Sequence, residues 1–414
     1  MTPWLAFVES NTSGTGWLFA QAARRLGLRP VLLAEDGGER YPYVRSQGVE
    51  VRAVATREVA AVVEACEQLR EGGGLAGVTT TSDYFVEVAA DTARRLGLPG
   101  PEPGAVAACR DKHAQRVALR DAGAGVPRFV AVESASEAEA AAEALGPPVV
   151  VKPVSGSGSV GVRLCATARE AAEHAAGLLS RRVNERGMPV PARALVESFE
   201  RGPEFSAESI GGRVVGVVAK HVSPPPYFVE TGHDFPAALS PQALGAIEGE
   251  ATRALSALRL GWGPAHTEIR LTERGPVIME VNPRLAGGFI PELVRLARGV
   301  DLVTQCVRLA AGRPIDLESR SAGAASIRFL LAEGAGVLTA FEGLEAAGGG
   351  EGVVEAQAYA EPPRRVAPGG DFRDRLGHVI AVGPTAALAA ARAEAARGAV
   401  RLRVEAGEPA GGRS

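Results

Sequence analysis

The stretch AHTEIRLTERGPVIMEVNPR, residues 265–284, is the most informative part of this sequence. It holds two runs in which polar and apolar residues alternate, and each run predicts a β-strand with one polar and one apolar face. Between them lies a loop that ends at Gly275, a residue free to adopt positive φ. We therefore predict an antiparallel hairpin with a three-residue loop, in which Thr272 pairs with Pro276.

That register sets Glu268 opposite Glu280, and His266 opposite Asn282, on the polar face of the hairpin. Two carboxylates directly opposite one another repel, so they destabilise the sheet unless a cation lies between them. Two carboxylates and an amide are oxygen ligands that suit Mg²⁺, which proteins commonly bind together with substrate phosphates. Arg284 follows and could reach a phosphate or a developing oxyanion. The alternative is a solvated edge hairpin with incidental acids, and the hairpin alone leaves both readings open.

Length and composition describe an ordinary globular protein. A chain of 414 residues is too long for one compact core, so two to four packed units are expected. Hydrophobic residues make up 46% and charged residues 22% of the sequence. The net charge of -3 argues against a nucleic-acid or anionic-membrane partner.

The cysteines and the N-terminus indicate the compartment. The four cysteines lie far apart, without the paired spacing of a zinc site or a disulfide framework. We find neither a signal-peptide pattern nor an apolar stretch long enough to span a bilayer. We therefore expect a cytoplasmic protein without a membrane partner.

The first 100 residues or so alternate between strand and helix patterns. Buried strands are predicted at residues 4–9, 30–34 and 77–81, and the first helix at 17–26. This order predicts a doubly wound α/β unit with a parallel sheet.

A short glycine motif follows the first predicted strand. Gly14 and Gly16 resemble half of a dinucleotide-binding fingerprint, but the third glycine is missing, so a dehydrogenase is a poor reading. A helix N-terminus that binds a substrate carboxylate is the preferred reading. Residues 79–83 end another strand, where ligands gather in open α/β sheets.

A second glycine-rich segment follows the predicted strand 149–154. Residues 155–161, here called the phosphate loop, read SGSGSVG and come three residues after Lys152. Backbone N–H groups can close on phosphate oxygens where side chains are absent, so this loop predicts a phosphate-covering hairpin. It is not a Walker loop, because the lysine precedes the glycines. The alternative is a flexible hairpin tip.

The remaining segments are less specific. Residues 224–236 are expected to form an irregular polar loop whose His233 is either a substrate contact or a structural histidine. A helix is predicted at 290–296, with an N-terminus that offers another anion site. Residues from about 320 to 408 predict a mostly β region.

The motifs taken together resemble the ATP-grasp ligases. The residues that carry this resemblance are Lys112, the segment 151–153 with the phosphate loop, VESFERGPE at 196–204, Glu268, and MEVNPR at 279–284. Within that superfamily the sequence is most similar to the bacterial L-amino-acid ligases, which make dipeptides. The narrower match is carried by residues 77–87, 227–236, 282–288 and 374–383.

This resemblance implies an α/β, ATP-grasp (α+β) fold in four units. Residues 1–100 would form a doubly wound parallel-sheet (Rossmann-like) domain, residues 101–193 the small lobe with the phosphate loop, residues 194–319 the large lobe, and residues 320–414 a β-rich domain with a disordered tail. It also implies an ATP-dependent carboxylate–amine ligase that joins two amino acids through an acyl phosphate. ATP, Mg²⁺ (or Mn²⁺) and small-molecule amino acids would be its ligands, and a homodimer is common in the family.

Residue roles follow from the same resemblance. ATP would be bound by Lys112, Lys152, Ser155, Gly156, Ser157, Gly158, Glu197, Ser198, Phe199 and Glu204. Glu268, Glu280 and Asn282 would bind the metal. Arg284, Lys152 and His233 would be catalytic, and His233 and Arg284 would also lie near the substrates.

The sequence departs from the family after Arg284. Gly287 and Gly288 stand where the family often has a bulky residue, which suggests room for a larger substrate side chain. Two other functions compete with amino-acid ligation. One is an ATP-grasp ligase or carboxylase of a purine-pathway or other small carboxylate, and the other is a nucleotide-binding module without turnover.

Overall fold

A computed structural model describes residues 2–11, 16–156, 158–184 and 186–406. Gly14 of the glycine motif, Ser157 of the phosphate loop and the tail from Gly407 onward lie outside these described residues.

The N-terminal region contains a four-stranded parallel sheet in the order β3-β2-β1-β4. Its strands are β1 (Trp4–Val8), β2 (Arg29–Ala34), β3 (Glu50–Ala53) and β4 (Leu75–Thr79). Its helices are α1 (Gly16–Arg25), α2 (Tyr43–Ser46), α3 (Val59–Glu71) and α4 (Val86–Arg95).

Burial on both faces explains the continuous apolar character of these strands. Every residue of β1 is buried. Leu5 and Phe7 join the core that includes α1, whereas Trp4, Ala6 and Val8 join the core that includes α3. The predicted doubly wound unit is therefore confirmed.

The next region is a smaller lobe built on a four-stranded antiparallel sheet in the order β5-β8-β6-β7. Its elements are α5 (Pro103–Arg110), α6 (Lys112–Asp121), β5 (Phe129–Val132), α7 (Ala135–Leu145), β6 (Val149–Pro153), β7 (Arg163–Cys165), α8 (Ala168–Leu179) and β8 (Ala194–Ser198). The phosphate loop joins β6 to β7, as the sequence predicts.

The largest sheet has eight strands in the order β13-β12-β9-β10-β11-β14-β18-β16. Its first part and the helices beside it are β9 (Glu204–Ile210), β10 (Arg213–Val222), β11 (Glu230–Phe235), α9 (Pro241–Ala257), β12 (Pro264–Thr272), β13 (Gly275–Asn282), α10 (Ile290–Arg298) and α11 (Leu302–Ala310). The C-terminal elements are β14 (Ala324–Leu331), β15 (Gly336–Glu342), α12 (Leu344–Gly348), β16 (Val353–Ala358), β17 (Arg364–Val366), β18 (Arg375–Gly383), α13 (Ala386–Ala399) and β19 (Arg401–Glu405).

The C-terminal region is continuous with the sheet that carries the hairpin. β14 pairs antiparallel with β11 along Gly232–Phe235, and β17, β15 and β19 form a separate three-stranded sheet. Helix α10 packs on β14 and β11, whereas α11 contacts α1 and β4 of the N-terminal region. The predicted combination of a parallel N-terminal sheet with antiparallel sheets in the following regions is thus present, and the four-unit division with boundaries after residues 100, 193 and 319 stays a prediction.

The hairpin differs from its prediction at the turn. Thr272 pairs with Gly275 rather than with Pro276, so the loop is one residue shorter than expected. A register shift between Glu268 and Ile269 then restores the predicted pairing of Glu268 with Glu280. The extra residue on β13 is a β-bulge at Met279, and bulges of this kind re-aim side chains beside functional sites.

A second prediction was wrong at residues 230–235. The sequence suggested an irregular loop there, but this segment is strand β11, which pairs with β10 on one side and β14 on the other. Long-range pairing on both edges supplies the backbone hydrogen bonds that the local sequence does not indicate.

Candidate active site

The facing carboxylates of the hairpin are each held by a lysine from another element. Glu268 Oε1 lies 2.8 Å from Lys220 Nζ, and Glu280 Oε1 lies 2.9 Å from Lys112 Nζ. The bulge leaves the Met279 carbonyl to accept a hydrogen bond from the Arg116 guanidinium. The repulsion that the sequence predicts is therefore relieved by cations of the protein itself.

His266 adds a third positive charge to this group. Its Nδ1 lies 2.8 Å from Glu208 Oε1, and its Nε2 lies 3.2 Å from Glu268 Oε1. Burial opposes protonation of the imidazole, but Glu208 and Glu268 raise its pKa to about 9. Burial alone would raise the pKa of Glu268. Lys220 and His266 outweigh burial and hold the pKa of Glu268 far below its usual range.

The donor set of the hairpin fits a hard divalent cation. Within the described ranges, neither Glu268 nor Glu280 has an ion pair or hydrogen bond on its second carboxylate oxygen. Asn282 is buried on the same face of β13. In that part of the chain there is no cluster of three or more His, Cys, Asp and Glu residues arranged for a metal. Two carboxylates and an amide match Mg²⁺ or Mn²⁺ that completes its shell with substrate phosphates and water.

Lys112 owes its position to a helix cap. It is the first residue of α6, and Asp111 caps that helix by accepting from the N–H groups of His113 and Ala114 at 2.8 and 3.0 Å. The ammonium group donates to the Gly156 carbonyl at 3.0 Å and also contacts Glu280. The phosphate loop and the carboxylate pair therefore meet at one lysine.

Lys152 belongs to a buried ionic triad. Its Nζ lies 2.5 Å from Glu197 Oε2, and Arg116 Nε lies 2.6 Å from Glu197 Oε1. Burial is the main influence on Lys152 and lowers its pKa to about 8, although Glu197 opposes the shift. Burial would raise the pKa of Glu197, but Arg116 and Lys152 lower it. Because both oxygens of Glu197 are taken, the backbone of this strand is what remains for the predicted adenine contact.

An aromatic pair lies next to this strand. Phe199 stacks on Phe228 with ring centroids 6.2 Å apart, and the Arg270 guanidinium lies 5.3 and 5.1 Å from the two rings. Arg270 also pairs with Glu204 at 3.1 Å, and Lys220 pairs with the other oxygen of Glu204 at 3.1 Å. A planar base and a ribose hydroxyl would find complementary groups here.

Arg284 is held by the N-terminal region. Its Nε lies 3.2 Å from Asp83 Oδ1, and Arg110 lies 3.0 Å from the same oxygen. Burial disfavours the charged guanidinium, but Asp83 raises the pKa of Arg284 above its ordinary value. Asp83 belongs to the strand end at which the sequence predicts ligand binding, so the two predicted sites converge.

His233 is fully buried and lies behind Gly288. A Cβ on Gly288 would come within 2.5 Å of His233 Nε2, and that nitrogen lies 3.5 Å from Glu230 Oε2. Burial lowers the pKa of His233, which favours the neutral ring. Glu230 itself pairs with Lys220 at 2.8 Å and with Arg375 of the C-terminal region.

These groups surround one cleft of about 1690 Å³. The predicted site residues that line it are Lys112, Lys152, Gly156, Gly158, Glu197, Ser198, Phe199, Glu204, Glu268, Glu280, Asn282, Arg284, Gly287 and Gly288. The structure therefore brings most of the predicted residues together. Ser155 lies at the start of the phosphate loop, and His233 is set back behind the wall of the cleft.

Several residues of this cleft received no role from the sequence, among them Lys220, Phe228, Glu230 and Arg375. Lys220 had a detectable signal, because it is a lone charge after an apolar run in β10. Glu230 and Arg375 reach the cleft through strand pairing between distant segments, which no local pattern indicates.

Three parts of the chain match families of known proteins. Residues 20–100 match the ATP-grasp N-terminal domain, residues 145–292 the ATP-grasp domain, and residues 328–405 the L-amino acid ligase C-terminal domain 2. The uncharacterized protein y4rH of Sinorhizobium fredii is 39% identical over 375 residues, which cover 91% of this chain and 78% of that protein. The chain belongs to the ATP-grasp ligases.

This ATP-grasp ligase also resembles two proteins with named substrates or activity. Alanine–anticapsin ligase of Bacillus subtilis is 29% identical over 280 residues, which cover 62% of this chain and 58% of that protein. The crystal structure of L-amino acid ligase from Bacillus licheniformis superposes with a TM-score of 0.82 at 23% identity, covering 97% of this chain and 99% of that one. The first likeness supports the ligase family, and the second shows the shared fold.

The family assignment confirms the predicted ATP-dependent carboxylate–amine ligase class, and ATP-grasp ligases use ATP and Mg²⁺. None of the described helices is both long enough and apolar enough to cross a membrane. The homodimer stays a prediction.

Proposed function

We propose that the protein joins the carboxylate of one amino acid to the amine of another, with ATP converted to ADP and phosphate. The observation that carries this proposal is the contact of Lys112 with both Gly156 and Glu280. This contact joins the phosphate loop, a lysine predicted to bind phosphate and a carboxylate predicted to bind the metal at one point of the cleft. Phosphoryl transfer depends on such charge neutralisation and positioning rather than on a protein nucleophile.

The reaction would proceed in two steps. A carboxylate oxygen of the first amino acid attacks the γ-phosphorus of ATP, the bond to the bridging oxygen breaks, and ADP leaves. The resulting acyl phosphate is attacked at carbon by the amine of the second amino acid. Phosphate then leaves with one oxygen of the original carboxylate, and the amine loses a proton.

The phosphate end of the cleft would be served by Lys112, Lys152 and the backbone of Gly156 and Gly158. Glu268, Glu280 and Asn282 would hold Mg²⁺ or Mn²⁺, which supplies positive charge to the phosphates when bound. Lys152 carries its charge at neutral pH, because its pKa of about 8 is still above 7.

Arg284 would stabilise the negative charge that develops on the acyl phosphate and on the tetrahedral intermediate. Its ion pair with Asp83 fixes the guanidinium, and the group stays protonated throughout the physiological range. A fixed donor costs little reorganisation as the charge develops.

The amino-acid end of the cleft would be served by Glu230 and Arg375. His233 does not line the cleft, so in this proposal it acts by packing behind Gly288 and beside Glu230. A carboxylate such as Glu230 suits a substrate ammonium group, and it would exchange part of its present pairing with Lys220 for that contact.

Residues 285–289, which follow Arg284 and form one wall of the cleft, leave room for a substrate side chain. A Cβ on Gly287 would meet no heavy atom within 4 Å. Phe289 and Tyr359 line the same cleft, and their rings lie nearly parallel, with centroids 6.4 Å apart and an interplanar angle of 10°. We infer that a large or flat side chain is accepted here, since the aromatic rings offer an extended apolar face.

An all-pairs amino-acid screen for phosphate release, with mass spectrometry of the products, tests this function. We expect release only when a productive pair is present, together with a product lighter than the sum of the two substrates by one water. Release that depends on bicarbonate would instead support a carboxylase, and ATP binding without any product would support a non-catalytic module.

A further inference from the structure

A contact joins the phosphate loop to the C-terminal region. A Cβ on Gly158 would lie 2.5 Å from Cδ1 and 3.0 Å from Cε1 of Phe372, so this ring lies against one side of the exposed Gly158. Phe372 is 45% exposed, and both residues line the cleft. An aromatic ring that is half in solvent and packed on a glycine contributes little to a hydrophobic core.

Phe372 lies in a turn that is held by local hydrogen bonds. We call residues 369–375 the clamp segment. Within it, Asp374 accepts hydrogen bonds from the backbone N–H groups of Gly369 and Gly370, both at 2.8 Å. Asp371 caps the short 3₁₀ turn Phe372–Asp374 by accepting from the Arg373 N–H at 2.9 Å. These local bonds hold the backbone of the turn that carries Phe372.

The clamp segment is anchored to the substrate end of the cleft. Arg375 pairs with Glu230, donates to the Glu230 carbonyl at 3.3 Å, and lies 4.1 Å over the Phe329 ring. At the other end, Gly370 packs directly under the Tyr227 ring. The clamp segment is therefore fixed at both ends, and Phe372 projects from its middle.

The loop that holds Tyr227 also meets the strand after the phosphate loop. The Leu164 N–H donates to the Pro226 carbonyl at 3.0 Å. The phosphate loop is thus contacted near its middle by Phe372 and just beyond its end by Pro226. Both contacts lead to the clamp segment, one directly and one through Tyr227.

We propose that the clamp segment holds the phosphate loop over the nucleotide, with Phe372 as the positioning residue. This inference rests on the proposed function in placing ATP under residues 155–161. It assigns the C-terminal region a part in nucleotide binding. Phe372 touches neither substrate nor metal in this account and acts only through Gly158.

The first test uses Phe372→Ala, with Phe372→Leu as the conservative variant and Leu388→Ala as a matched control. Leu388 is an exposed hydrophobic residue on α13 that does not line the cleft. We expect faster hydrogen–deuterium exchange in residues 158–165 of nucleotide-free Phe372→Ala. We also expect its affinity for Mg–ATP, by calorimetry, to fall about three- to tenfold, the usual scale for one aromatic contact. Leu388→Ala should change neither quantity, and Phe372→Leu should lie between.

The second test is a double-mutant cycle with Gly158→Ala. In the wild type the new Cβ meets Phe372 and also strains a residue with φ of +67°. In Phe372→Ala only the backbone strain remains, so Gly158→Ala should weaken Mg–ATP binding at least about threefold less in that background. The cycle isolates the contact, because the backbone strain is common to both backgrounds.

Three results would overturn the proposal: unchanged exchange in Phe372→Ala, unchanged Mg–ATP affinity, or strictly additive effects in the cycle. Failure of the proposed function would look different. A wild type that binds Mg–ATP but releases no phosphate with any amino-acid pair would fail as a ligase. The exchange and affinity comparison between the variants would still decide the role of Phe372.

Discussion

Glu197 and Glu280 both lie beside a lysine of the cleft, yet their surroundings differ. The side chain of Glu197 is 3% exposed, and its two oxygens are taken by Arg116 and Lys152. The side chain of Glu280 is 17% exposed, and its ion pair with Lys112 uses one oxygen. A saturated and buried carboxylate fixes the cations around it, whereas a partly open one keeps capacity for a ligand.

The physical reason lies in the cost of burial. Removing an ion from water costs several kcal/mol, and the protein offsets that cost only when the partners satisfy the whole group. Glu197 meets that condition and therefore belongs to the framework that orients Lys152. The partners of Glu280 satisfy only one of its two oxygens. This state suits a residue that could exchange a protein cation for a metal ion.

Glu280→Gln should have the strongest effect, and that effect should be on the rate of catalysis. Loss of the carboxylate charge should lower Mg²⁺-dependent phosphate release by about 10³-fold, because the proposed metal site would lose one of its two acidic ligands. The free energy of unfolding should fall by only about 1 kcal/mol. Phosphate-release kinetics and urea unfolding check the two parts, and unchanged turnover would rule out the metal assignment.

Glu197→Gln should show the opposite pattern, with its main effect on stability rather than on phosphate release. It leaves Arg116 and Lys152 buried without their counter-charge, so the free energy of unfolding should fall by about 3–5 kcal/mol. Urea unfolding measures this loss. A variant as stable as the wild type would mean that Glu197 is not part of the framework, and the comparison with Glu280 would fail.

Arg284→Lys should have the next largest effect, a loss of kcat. Lysine keeps the charge but loses the planar fork that pairs with Asp83 and that, in the proposed function, would also meet a developing oxyanion. We expect kcat to fall by about 10²-fold while the KM for ATP changes little. Steady-state kinetics separates the two constants, and a change confined to KM would show that Arg284 binds the ground state instead.

The pH dependence of Lys152 is a smaller effect. Burial lowers its pKa from 10.5 to about 8, so ATP affinity should fall about tenfold per pH unit above 8 as the ammonium loses its charge. Folding favours the neutral form of a group whose pKa is lowered. Stability therefore gains from Lys152 between pH 8 and 10.5, and unfolding would not explain the loss of binding.

Lys152→Arg provides the control for this pH effect. Arginine stays protonated well above pH 10, so the alkaline loss of ATP affinity should disappear if Lys152 causes it. Calorimetric titrations of both proteins between pH 7 and 9.5 make the comparison. An identical alkaline loss in the variant would assign the effect to another group.

The smallest effects are expected from Gly287→Leu. The position is open, so the free energy of unfolding should change by no more than about 0.5 kcal/mol. Substrates with large side chains should lose about tenfold in kcat/KM relative to alanine, because the new side chain takes their space. Gly288→Leu is the contrast, since its φ of +60° and the His233 ring leave no room for a Cβ. Equal effects of the two substitutions on stability would contradict this description of the wall.

Local patterns in the sequence were sufficient for the N-terminal sheet and for the pairing of Glu268 with Glu280. The shorter turn at Gly275 and the bulge at Met279 were missed because they offset one another, and alternation alone does not reveal either. His233 was assigned to a loop because the strands that pair with β11 lie elsewhere in the chain.

The candidate site was predictable where its residues sit in short motifs. The cations that neutralise those motifs were not, since Lys220 meets three carboxylates that are distant in sequence. Arg375 reaches Glu230 only because β14 joins the C-terminal strands to the large sheet. Such partners depend on the fold, so the sequence identifies the acids of the site better than the groups that balance them.

The path of the carboxylate oxygen shows whether the protein activates its substrate as an acyl phosphate. Amino acids labelled with ¹⁸O in the carboxylate are supplied as a mixture with ATP and Mg²⁺ in ordinary water, and the released phosphate is analysed by mass spectrometry. An acyl-phosphate ligase predicts one ¹⁸O atom in each phosphate formed during turnover. Phosphate that carries only ¹⁶O, released in step with product, would contradict carboxylate activation by this cleft.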